Sequence, residues 1–234
     1  MIALLAMMFL LLPTWAAANG RFPNAQQVVI GPGPTRSDVI VLRATFGLLL
    51  STDGGRSFRW VCEEGLYYPF VPALNYDPAV ELSARGTVVF SYEEGVRFVT
   101  NGCGAEDVRG TQRRAFTDMT SNPDGSTIFA VRSSLEAPSS VYRIDGVTLE
   151  VQSTGMTVPD VVFDTIEVAP SNAQRLYLTG RAGMEAQPVF YRSDDGGQTL
   201  TRLMPDAGAA DSLWVSGIDP RDPDTLYVRA AVGL

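Results

Sequence analysis

Carboxylates are plentiful in this chain, while two common catalytic residue types are missing. It carries 26 Asp and Glu against 18 basic residues, and every basic residue is Arg; there is no His and no Lys. Without His the usual general base, the usual zinc ligand and any Ser-His-Asp or Cys-His set are missing, and without Lys there is no Schiff-base chemistry. That removes a large part of the enzymatic repertoire, and glycoside hydrolysis, which can run on two carboxylates without His, is the natural candidate for what remains. The acidic pairs Glu63-Glu64 and Glu93-Glu94 read as exposed turn charges rather than as an acid and its base. Asp219, Asp222 and Asp224 alternate like the oxygen ligands of a calcium loop. Two prolines intervene there, however, and the Gly and distal Glu of an EF-hand are missing, so the segment reads as a solvated turn. No residue is therefore assigned a catalytic, cofactor-binding or metal-binding role, and no cofactor is expected. The net charge of -8, with Arg113-Arg114 as the nearest approach to a basic cluster, argues against nucleic acid as a partner.

The elements that must position any such acids are announced by a repeated turn. Ser51-Thr52-Asp53-Gly54-Gly55-Arg56-Ser57-Phe58 and Ser193-Asp194-Asp195-Gly196-Gly197-Gln198-Thr199-Leu200 share one pattern. Ser and Asp side chains can accept from nearby backbone amides, and paired glycines supply positive φ. Ser51, Asp53, Gly55 and Phe58, with Ser193, Asp195, Gly197 and Thr199, thus read as hairpin clamps with a structural role. Two weaker copies follow, Ser91 to Phe98 and Tyr142 to Leu149, and the reference glycines fall at 55, 95, 146 and 197. Intervals of 40, 51 and 51 residues match one four-stranded blade each. Short apolar runs precede every copy: Val39–Leu42 with Gly47–Leu50, Val80–Ser83 with Thr87–Phe90, Thr127–Ala130 with Ser140–Tyr142, and Arg175–Leu178 with Pro188–Tyr191. These read as second and third strands, and Pro, Asn and Asp punctuate the gaps between them. No helical period is sustained beyond the N-terminus, so the class is all-β.

The signature resembles the Asp box, or BNR repeat, of sialidase-like and sortilin-like β-propellers. That resemblance implies a β-propeller of four-stranded blades, with blades at about 24–63, 64–104, 105–158 and 159–205 and a partial fifth at 206–234. Strands are visible in the fifth near Leu213–Ile218 and Thr225–Arg229 only. A truncated chain, or a partner or missing segment that completes the fifth blade, would account for the open edge. A sialidase is further expected to show an Arg triad and a Tyr/Glu pair, with an F/Y-R-I-P segment ahead of the first box. Tyr142-Arg143-Ile144-Asp145 approaches that segment but lacks the Pro and lies in mid-chain, so it reads as a blade hairpin. Trp60 and Trp214 read as core residues between blades.

Residues 1–18 read as a secretory signal peptide, apolar and uncharged through Trp15, with Ala16-Ala17-Ala18 before a cleavage at Asn19; no transmembrane anchor is expected after cleavage. Export to the periplasm, cell surface or medium follows. In that setting Cys62 and Cys103, each a few residues beyond a box, form a reasonable disulfide, with two inert buried thiols as the alternative. The functional expectation is an exported, non-catalytic propeller that recognises a protein or a glycan, or serves assembly, at the cell envelope. The alternatives are a fragment of a sialidase-like glycoside hydrolase and a degenerate structural fragment without ligand.

Overall fold

Apolar residues on alternate positions, cut every few residues by Gly, Pro or Asp turns, leave the chain little choice but antiparallel hairpins. The computed structural model describes residues 24–62, 66, 78–92, 94–100, 104–134, 137–204 and 210–231. Four antiparallel four-stranded sheets follow one another along the chain. The first holds β1 (Ala25–Ile30), β2 (Ile40–Ala44), β3 (Gly47–Ser51) and β4 (Arg59–Cys62); the second holds β5 (Val80–Leu82), β6 (Val88–Tyr92), β7 (Gly95–Val99) and β8 (Ala105–Asp107). The third comprises β9 (Phe116–Ser121), β10 (Thr127–Arg132), β11 (Ser139–Asp145) and β12 (Val151–Val158). The fourth comprises β13 (Val161–Ala169), β14 (Asn172–Ala182), β15 (Gln187–Ser193) and β16 (Thr201–Leu203), and β17 (Ser212–Ile218) with β18 (Leu226–Ala231) makes a final two-stranded sheet. Within each sheet the strands keep sequence order, and the first strands of successive sheets lie beside one another. This is the meander of a β-propeller, with four complete blades and half of a fifth.

Each blade buries its faces against its neighbours. Val41, Leu48 and Val61 of the first blade pack on Val80, Leu82 and Phe90 of the second. Val89 and Val96 meet Phe116, Ile128 and Tyr142. Phe129 and Val141 meet Phe163, Ile166 and Leu176, and Tyr177 and Phe190 meet Leu213 and Val215 of the half blade. Phe90, Phe116 and Phe163 are fully buried, each adding about 1.5–3 kcal/mol of burial free energy relative to exposure. On the first blade, among the described residues, Val28 and Ile30 are each 60 % exposed and Trp60 57 %. Trp60 is therefore not the inter-blade core residue its sequence context suggested. Its indole is instead held on the surface by donating to the Phe46 carbonyl at 3.0 Å.

The second blade departs from the sequence reading by one strand. Val80–Leu82 is its first strand rather than its second, and Val88–Tyr92 is its second rather than its third. The weak copy from Ser91 to Phe98 consequently spans the turn between the second and third strands, where Tyr92 pairs with Gly95 across two residues. Gly95 is needed there for close packing: a Cβ would lie 2.9 Å from Thr111 Oγ1. β8 also belongs to the second blade although it lies beyond residue 104. Cys62 ends β4, and its expected partner Cys103 lies outside the described residues, as does the leader at 1–18.

Candidate functional site

The two strong turn signatures adopt one geometry. Ser51 Oγ accepts from the Gly55 amide at 2.9 Å and donates to Asp53 Oδ1 at 2.8 Å; Asp53 then accepts from the Ser57 amide at 2.9 Å and the Ser57 hydroxyl at 2.6 Å. Ser193, Gly197, Asp195 and Thr199 repeat those contacts at 2.8, 2.8, 2.9 and 2.6 Å. Both turns join the third strand of a blade to the fourth, and their glycines have φ of 72 and 84 at Gly54 and Gly55 and 68 and 87 at Gly196 and Gly197. Hydrogen bonds from the Ser57 side chain and amide lower the Asp53 pKa to about 2. At Asp195 some desolvation works upward, but the bonds from Thr199, Ser193 and Gln198 outweigh it and also bring the pKa to about 2. A carboxylate so saturated with donors is a poor base and a poor acid.

The third blade uses a shorter version. Asp145, at the end of β11, accepts from the Val147 and Thr148 amides at 2.8 and 2.7 Å, which places Tyr142–Asp145 in a blade hairpin. Asp219, Asp222 and Asp224 likewise close the turn from β17 to β18: Asp219 accepts from the Arg221 amide at 2.8 Å, Asp222 accepts from the Asp224 amide at 3.0 Å, and Asp224 pairs with Arg175.

Three other carboxylates behave in the opposite way, and the sequence reading passed over them. Glu81, Asp118 and Glu167 sit on β5, β9 and β13, the first strands of three consecutive blades. Each reaches toward a neighbouring first strand. Ser121 donates to Glu81 at 2.7 Å, the Ile166 amide donates to Asp118 at 2.9 Å, and Thr120 donates to Glu167 at 3.5 Å. Thr117 adds a bond to the Phe163 carbonyl at 2.9 Å, so the acids belong to a polar seam between β9 and its neighbours. Desolvation is the largest influence on all three. It raises Glu81 to about 8 against the Ser121 bond, and Asp118 to about 7 against the Ile166 amide and the Arg43 guanidinium. Glu167 is pushed up to about 8, first by desolvation and then by the charges of Asp118 and Glu81. Glu81 and Glu167 interrupt apolar runs, Val80-Glu81-Leu82 and Ile166-Glu167-Val168, and that interruption is the signal the sequence offers; Asp118, in Thr117-Asp118-Met119-Thr120, carries no such signal. Among the described residues, no group of three or more Asp, Glu, Cys or His is arranged to hold a metal ion.

A groove of about 350 Å³ opens between the fourth blade and the half blade, lined by Asp164, Arg181, Asp211, Ser212 and Trp214. Arg181 grips Asp164 in bidentate fashion, Nε to Oδ2 at 3.0 Å and Nη2 to Oδ1 at 2.8 Å. Trp214, expected in the core, is half-buried at this wall, and Arg229 lies 4.6 Å over its ring.

No protein-family model matches the chain, and no curated protein matches it in sequence. Solved structures do match. A GH74 xyloglucanase from Xanthomonas campestris aligns over 90 % of this chain and 36 % of its own, with a TM-score of 0.57 and 16 % identity. A GH74 enzyme from Niastella koreensis aligns over 80 % of this chain and 30 % of its own, at 0.54 and 14 %. An extracellular domain of a proposed one component system from B. thetaiotaomicron aligns over 81 % and 24 %, at 0.53 and 10 %. The chain thus spans about a third or less of these proteins, and identities this low establish the shared fold alone.

Proposed function

We propose that this chain is an exported, non-catalytic recognition module of the Asp-box type, a rigid propeller that binds a protein or a glycan at the cell envelope. The observation that carries this reading is how its carboxylates are used. The acids with raised pKa values, which are the natural candidates for acid–base work, are occupied as acceptors for groups of an adjoining blade: Ser121 for Glu81, the Ile166 amide for Asp118 and Thr120 for Glu167. The acids with lowered values are locked into turns. The competing reading, a piece of a glycoside hydrolase, draws on Glu81, Asp118 and Glu167 themselves.

The test is hydrolysis. Purified full chain is incubated with neutral polysaccharides and a sialoside while reducing ends are followed, beside Glu81→Gln, Asp118→Asn and Glu167→Gln. The expected result is no release above the blank for any protein. Release by the wild type that one of these substitutions abolishes would establish an enzyme instead.

A further inference from the structure

The groove between the fourth blade and the half blade has the construction of a binding site. Asp164 occupies a bulge in β13, where the register with β14 shifts between Phe163 and Thr165. A bulge turns a side chain out of the regular alternation and is a common way to aim one at a site. The chain opposite is shaped to accept it. Gly180 of β14 lies so close that a Cβ there would meet the Val162 carbonyl oxygen at 2.2 Å and the Phe163 Cα at 2.7 Å. On the next residue, Arg181 receives the bulged carboxylate with both arms of its guanidinium. Two faces of the groove are thereby fixed, one by the Asp164–Arg181 pair and one by Trp214. Arg229 covers one face of the indole, which leaves the other face or the ring edge to line the opening.

The lining chemistry selects among ligands. Its formal charges are two carboxylates and one guanidinium, and Arg181 is already engaged with Asp164, so there is no surplus of positive charge to hold an anion. The net charge of -8 for the whole chain adds to that bias. Only one of the five lining side chains is apolar, which gives little for the hydrophobic anchors of a peptide. Carboxylate oxygens that accept, guanidinium and hydroxyl groups that donate, and one broad aromatic surface together suit a molecule with many hydroxyls and an apolar C–H face. The volume is within the range of small-ligand sites.

We propose that this groove binds a neutral glycan, with Trp214 as the platform for one sugar ring, Asp164, Arg181 and Ser212 as partners of its hydroxyls, and Gly180 as the residue that positions Asp164. The proposal rests on the recognition reading above and narrows it from protein or glycan to glycan.

The experiment is titration calorimetry of the full chain with neutral hexasaccharides of glucose and of mannose, α- and β-linked, and with an oligogalacturonate. Intrinsic fluorescence of Trp214 is followed in a Trp15→Phe, Trp60→Phe background, and reducing ends are measured in the same samples. At least one neutral hexasaccharide is expected to bind with Kd at or below about 1 mM and to shift the fluorescence, with oligogalacturonate at least about tenfold weaker. Trp214→Ala is expected to weaken binding by about tenfold or more, and Trp214→Phe by roughly threefold or less. Gly180→Ala, judged folded by circular dichroism, is expected to weaken binding several-fold. No binding of any neutral hexasaccharide, or binding that Trp214→Ala leaves unchanged, overturns the site. Binding followed by cleavage that Asp164→Asn abolishes would keep the site and overturn the non-catalytic reading, so the two failures are distinct.

Discussion

Asp53 and Asp195 on the blade turns and Glu81, Asp118 and Glu167 on the inner strands are the same functional group in two environments. The turn acids receive three or more short hydrogen bonds while remaining at the surface, and they ionise near pH 2. The seam acids sit among packed strands, where desolvation outweighs the hydrogen bonds they receive, and they ionise near pH 7 to 8. The difference shows that the balance of hydrogen bonds against desolvation, not residue type, decides whether a carboxylate in this fold is a clamp that needs its charge or a pin that needs its proton. The two classes therefore place opposite pH demands on the folded state.

Signs follow from linkage. The turn acids contribute stability that is present above their unfolded value near 4 and is lost as pH falls toward 2. The seam acids bind protons more tightly when folded, so their contribution is complete below about 4 and is lost as pH rises through 7 to 8. Stability is expected to peak in mild acid, between about pH 4 and 5.

The largest effect is expected from Asp195→Ala, which strands the Ser193 and Thr199 hydroxyls and the Gln198 and Thr199 amides. A fall in melting temperature of about 5–10 °C at pH 7, read by scanning calorimetry, is the expected outcome. An unchanged temperature would mean the clamp is ornamental. Next in size is Asp118→Asn, which keeps an acceptor for the Ile166 amide but removes the charge. It is expected to raise the melting temperature by about 3–6 °C at pH 9 and to leave it nearly unchanged at pH 5. A loss at both pH values would make the ionised form the structural one. Smallest is Glu167→Gln, whose Thr120 bond is long at 3.5 Å. A rise of about 1–3 °C at pH 9 is expected in urea or thermal melts.

Much of the architecture was legible because its signals are local. Paired glycines after Ser-x-Asp, alternating apolar runs and regular spacing locate hairpins without knowledge of distant contacts, and the blades built on Ser51 and Ser193 follow them closely. The second blade slipped because Ser91-Gly95 carries the letters of the turn without its Asp, while the glycine there serves close packing on Thr111. Trp60 misled for a related reason: its size suggests a core position, but its indole lies on the surface of the first blade and bonds the Phe46 carbonyl. The candidate sites were not legible. Glu81, Asp118 and Glu167 are 37 or more residues apart and become one group only when three blades stand side by side. Asp164 faces its groove through a bulge that no residue pattern in β13 announces.

The central claim, that the seam acids are protonated pins between blades and not a catalytic set, is tested most directly by one profile. Unfolding free energy from urea melts is measured from pH 5 to 9 for the wild type and for the triple variant Glu81→Gln, Asp118→Asn, Glu167→Gln. The wild type is expected to lose a few kcal/mol across that range while the triple variant stays nearly flat. A triple variant that loses stability with the same slope, or that is strongly destabilised even at pH 5, would contradict the claim.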